Sequence, residues 1–92
     1  MMENMNNNNF VDKKINIVNI IFDYRSNKRN IQISDEATVA EVLNKYIDSE
    51  FKGDNKKKII FLYNGAKMNI DDYKHIKIKD YFADGIIITV IT

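Results

Sequence analysis

The sequence has no cysteine, no proline and no tryptophan, and its 92 residues include only three glycines and one histidine. Without cysteine there is neither a disulfide framework nor a cysteine-based metal site, so packing and hydrogen bonds alone must hold a small domain together; this suits an intracellular protein, cytoplasmic or nuclear. A single histidine, His75, leaves nucleophilic triads and zinc hydrolysis without their parts, and His75 reads as a solvated loop residue. Gly53, Gly65 and Gly85 are dispersed, each suits a turn, and they build no phosphate-cradling loop. No apolar run approaches the roughly 20 residues of a bilayer-spanning helix, and the start of the chain has no signal-peptide core. Charge of one sign is also lacking. Lys and Arg total 14 against 13 Asp and Glu, a formal net charge of +1, so no global field draws in nucleic acid or an anionic membrane.

What is present is ordinary for a globular domain, with 45% hydrophobic and 29% charged residues, and the length allows one domain. Heavy use of Asn, Ile and Lys reads as the bias of an AT-rich genome. Residues 1–14 include Asn6, Asn7, Asn8 and Asn9 and are too polar to repay the cost of ordering a backbone. They are expected to form a disordered tail, the alternative being that Phe10 and Val11 extend the first strand or engage a partner. Residues 15–92 are expected to form the domain.

From Ile15 to Tyr24, Val18, Ile20, Phe22 and Tyr24 share one parity and Asn19, Ile21 and Asp23 the other, which predicts a strand with one buried face. Arg25 to Lys28 supplies a reversal, and Asn30 to Ser34 alternates again, burying Ile31 and Ile33. Thr38 and Glu41 are spaced as a capping box, and Val39, Val42, Leu43, Tyr46, Ile47 and Phe51 then recur on one helical face. That helix is expected to stop near Lys52, with Gly53 taking the left-handed position and 54–58 a charged connector. Ile59 to Tyr63 reads as a third strand, Asn64-Gly65 as its turn, and Ala66 to Met68 as a short return whose Met68 plugs the core. Asn69 to Asp80 mixes charges with isolated Tyr73, Ile76 and Ile78, which predicts a loop with one helical turn at most. In it Asp71 and Asp72 are positioned to cap that turn; as a catalytic pair they would need a pocket that so small a fold seldom provides. Ala83 to Gly85 turns the chain into Ile86 to Ile91, a β-branched run suited to a central strand. The cluster of Lys52, Lys56, Lys57 and Lys58 reads as solvated.

The hairpin running into Ser34-Asp35, the Thr38-Val39 helix start, Phe61-Leu62-Tyr63-Asn64-Gly65-Ala66-Lys67-Met68, and Lys79-Asp80-Tyr81-Phe82-Ala83-Asp84-Gly85 before the last strand follow one order. In that order the chain, from about Val18 to Thr92, resembles the ubiquitin-like family. The resemblance implies an α+β β-grasp fold, a mixed sheet of four to five strands packed on one helix. The stretch between Met68 and Asp80 is a few residues longer than the family's usual loop. Conjugated members end in a flexible Gly-Gly tail, whereas this sequence ends at Thr92 on the last strand, so the resemblance implies a non-conjugated type. A modifier whose Gly-Gly end lies outside the sequence is the alternative.

In the resembled fold the last strand lies between the first and third, and parity then turns Ile20, Phe22, Phe61, Tyr63, Ile88 and Val90 toward the helix. Ile21, Ile60, Leu62, Ile87 and Ile91, with Thr89, fall on the opposite face, where antiparallel sheets usually show polar residues. Leu62 and Ile91 match the family's hydrophobic recognition patch; Thr89 stands where that patch has a histidine, and the first hairpin turn holds no leucine. The expectation is therefore a non-catalytic protein-interaction module, of a larger protein or an adaptor, with no cofactor, no metal and no nucleic-acid or membrane partner. It would be a monomer alone or a subunit of a larger complex, and a permanent structural subunit is the other reading of the same face. A third possibility is that composition bias alone fills the face, or that the 69–80 segment or the tail folds over it.

Overall fold

Alternation of side chains along Ile17–Tyr24 (β1) and Asn27–Ser34 (β2) produces an antiparallel hairpin, paired without a bulge from Ile17 opposite Ser34 to Tyr24 opposite Asn27. The computed structural model describes residues 15–52 and 58–92. The Asn-rich tail, the proposed left-handed Gly53 and the connector at 54–57 lie outside the described residues. Arg25 and Ser26 form the hairpin turn with φ of 53° and 69°, the positive values that a two-residue type I′ turn requires at both centres. β2 thus begins three residues earlier than Asn30, where the alternation first becomes readable. Asn27, Lys28 and Arg29 are polar and exposed on both faces of the sheet's edge, so they carry no apolar signature. Ile31 is buried as expected, but Ile33, near the end of the hairpin, is only half-buried.

The capping box forms as its spacing predicts. Oγ1 of Thr38 accepts from the Glu41 amide at 3.1 Å, and a Glu41 carboxylate oxygen accepts from the Thr38 amide at 2.9 Å. These bonds start α1, Val39–Phe51, whose buried face is Val39, Ala40, Val42, Leu43, Tyr46 and Ile47. Lys52, at φ 51° and ψ 37°, closes the helix in the left-handed conformation, one residue before the glycine expected to do so.

β3, Ile60–Tyr63, turns through Asn64 (φ 53°) and Gly65 (φ 79°) into β4, Ala66–Met68, and Met68 enters the core. β5, Ile86–Ile91, then runs parallel to β1 and antiparallel to β3, completing a mixed five-stranded sheet in the order β2-β1-β5-β3-β4. Ile20, Phe22, Phe61, Ile88 and Val90 project from its inner face onto the helix, where the Phe22 ring stacks on Tyr46 with centroids 4.3 Å apart.

Between β4 and β5 the chain makes two 3-10 turns, Ile70–Tyr73 and Ile78–Asp80, where the sequence pattern predicts one at most. Asn69 occupies the cap of the first, and Asp71 and Asp72 lie inside it, so they do not cap it. The second buries Ile78 completely. Backbone bonds stitch this segment to the entrance of α1: Val39 N–H donates to the Ile76 carbonyl at 2.8 Å and Ile78 N–H to that of Ala37 at 2.8 Å. Buried Ile78, the half-buried Ile70, Tyr73 and Ile76, ion pairs from Glu36 to Lys77 and Lys79, and these backbone bonds fix the segment, and together they have no period that the sequence displays.

Candidate functional site

With Ile20, Phe22, Phe61, Ile88 and Val90 turned inward, the residues between them face outward, and the register arranges them in rows across the sheet. Ile21 of β1 lies between Asn30 of β2 and Ile87 of β5. The next row crosses all five strands as Lys28, Asp23, Thr89, Leu62 and Lys67. Beyond it, Ile91 of β5 pairs with Ile60 of β3. The six residues singled out by parity, Ile21, Ile60, Leu62, Ile87, Thr89 and Ile91, therefore share one face. Ile87 and Ile91 are 48% and 42% exposed, Thr89 is exposed, and Ile21, Ile60 and Leu62 are half-buried. The 69–80 segment packs beside the start of the helix and leaves Ile87 and Ile91 open.

The pattern missed Ile17, which is 54% exposed at the start of β1 and has the same parity as Ile21. Carrying the alternation two residues further back finds it. A polar network separates it from the main group. Oδ1 of Asp84 accepts from the Asn19 amide at 2.7 Å and from its side-chain nitrogen at 3.0 Å, while Oδ1 of Asn19 accepts from Asn30 and Gln32. The backbone bond from Asn19, then the side-chain bond, holds the Asp84 carboxyl below its usual pKa. Asp84 thus extends the β1–β5 ladder one step with a side chain, and the Gly85 amide continues it to the Asn19 carbonyl at 2.7 Å, at a φ of 84° that favours glycine. In the five-strand row, Oδ1 of Asp23 is inaccessible and has no hydrogen-bond partner among the described residues.

Other candidate chemistry is sparse. A cleft of about 450 Å³ has Asp71, Asp72, Lys67, Phe61 and Met68 in its lining. Both carboxylates are exposed, and Asp71 pairs with Lys74 at 3.3 Å. His75 is exposed. Among the described residues no group of three or more His, Cys, Asp or Glu side chains is placed to hold a metal ion, and no helix is long and apolar enough to cross a membrane.

Solved structures superpose on this arrangement. The ubiquitin-like domain of an Arabidopsis thaliana protein aligns over 82% of this chain and 76% of its own with a TM-score of 0.62 at 18% identity. The chain has the ubiquitin-like β-grasp fold. An N-terminal ubiquitin-like domain from the 4931431F19Rik protein aligns over 82% of this chain and 73% of its own, with a TM-score of 0.57 at 13% identity. A structure of ATBAG1 in complex with HSP70 aligns over 80% of this chain and 39% of its own, with a TM-score of 0.61 at 14% identity. No family model and no curated protein matches the sequence. The ubiquitin-like likeness accounts for the central position of β5, parallel to β1, which local sequence signals do not encode.

Proposed function

We propose that this domain is a non-catalytic protein-interaction module that docks reversibly on a protein partner through its outward sheet face. The observation that carries the reading is the exposure of Ile87 and Ile91, flanked by Ile21, Leu62 and Ile60, on a face where antiparallel sheets commonly show polar residues. A partner suited to it brings apolar side chains for the isoleucines, with Lys28 and Lys67 closing the middle row at either edge. The structural neighbour ATBAG1, 39% of whose chain is covered, was solved in complex with HSP70, which supports a protein as the partner class.

Ile87 and Ile91 are exposed while Ile21, Ile60 and Leu62 are half-buried, and so partial an apolar face suits reversible docking better than the more hydrophobic, core-like interface of a permanent subunit. Ile87→Asp and Ile91→Asp test the reading in pull-downs from lysate of the native source. The expected outcome is a specific band captured by the wild-type domain and lost with both variants, each still unfolding cooperatively near the wild-type midpoint. Equal capture by wild type and variants rejects the face as the site.

A further inference from the structure

At the end of β3 a group of aromatic side chains stands apart from the sheet face. Tyr63 lies 5.9 Å from Tyr81 and 5.0 Å from Phe82, between ring centroids, and Tyr73 lies 5.2 Å from Tyr81 at an interplanar angle of 58°. The hydroxyls of Tyr73 and Tyr81 are 3.2 Å apart and share a hydrogen bond. Because the oxygens are closer than the centroids, the two rings converge at their hydroxyl ends, where the ring carbons ortho to oxygen lie. Tyr81 is 39% exposed and open to a diffusing reagent. The chain has no tryptophan and no cysteine, so tyrosine is its most readily available one-electron donor.

We infer that Tyr73 and Tyr81 are a modification site at which one-electron oxidants, such as a peroxidase acting with hydrogen peroxide, form an intramolecular dityrosine. Each phenol gives up one electron to the oxidant and one proton to solvent. The two phenoxyl radicals then join through a new carbon–carbon bond between ortho positions, and the two ring hydrogens displaced there return to the phenolic oxygens as the rings regain aromaticity. Two electrons and two protons leave in all, and one hydrogen peroxide receives them as two waters. The product ties the first 3-10 turn to the residue that follows the second, across a sequence separation of eight. Ile78, buried between them, is then enclosed in a covalent ring.

The test treats the full chain with peroxidase and hydrogen peroxide at low protein concentration, then follows dityrosine fluorescence, intact mass and tryptic peptides. The expected product is a monomer lighter by two hydrogens, with residues 68–74 linked to residues 80–92. Tyr73→Phe and Tyr81→Phe keep the rings and should each abolish that link, while Tyr24→Phe should retain it. Repeating the oxidation in urea should sharply lower its yield, because the fold, and not sequence proximity, brings the rings together. No link, a link only between chains, a link persisting in Tyr81→Phe, or equal yield in urea each overturns the inference.

Discussion

Single side chains on β5 separate fold from surface. Ile88 is fully buried, and its neighbours Ile87 and Thr89 point to solvent. Burying an isoleucine contributes about 1.5–3 kcal/mol, and a buried unpaired charge costs more, so Ile88→Asp should abolish cooperative unfolding in circular dichroism. Ile87→Asp, one residue away, should retain it. Parity alone makes this contrast legible in the sequence, because the period of a strand is two and the neighbours are β-branched. The Asn19–Asp84 bonds were not legible: they join residues 65 apart, and no local pattern marks either partner. Burial, with the nearby Glu50 carboxylate second, pushes the Tyr46 phenol up to about 12. A pKa raised above the unfolded value of 10 gives stability that is intact below pH 10 and is lost as pH rises toward 12, so the urea midpoint of unfolding should fall across that window.

At the level of elements, turns and caps give the sharpest tests. Arg25 and Ser26 both hold positive φ without being glycine, and a left-handed residue other than glycine costs about 1–2 kcal/mol. Ser26→Gly should raise the stability in urea titration, by roughly 0.5–1 kcal/mol once the added freedom of the unfolded chain is subtracted. Thr38→Ala, which removes the cap of α1, should lower it by about 1 kcal/mol. Glu36 joins the exit of β2 to the late segment, binding Lys77 at 2.9 Å and Lys79 at 2.7 Å. Hydrogen bonds from Lys79, then Lys77, hold its carboxyl at about 2 against a usual 4.5. A folded value below the unfolded one gives stability that is complete above pH 4.5 and is lost as pH falls through 2. Glu36→Gln should therefore flatten the acid limb of the stability profile over that window.

The elements best read from sequence are those with a coded spacing, the Thr38–Glu41 box and the Asn64-Gly65 turn. Those read poorly depend on tertiary position. The start of β2 is polar because it lies at a sheet edge, and the second 3-10 turn goes with the burial of Ile78, an isolated apolar residue between lysines.

For the whole molecule, the pairing of β1 with β5 joins the two sequence ends of the described domain, so a central part of the sheet forms only after a long loop has closed. Folding dominated by such non-local contacts is slow, and refolding monitored by tyrosine fluorescence should take milliseconds to seconds. Removing residues 90–92 would take Val90 from the core and Ile91 from its pairing with Ile60, and should leave no cooperative transition. The five-stranded order was legible only through the resemblance to a known fold, since local patterns define strands and not their neighbours.

That central pair also sets how the domain would bear a load. Because β1 and β5 are parallel, the chain enters β1 and leaves β5 at opposite poles of the sheet. Tension applied through Ile17 and Ile91 therefore runs along both strands, and their hydrogen bonds are strained together in shear, not peeled apart one at a time. Pulled by its two ends, the domain should therefore give way in one abrupt step in a single-molecule stretching experiment, and not by gradual unzipping.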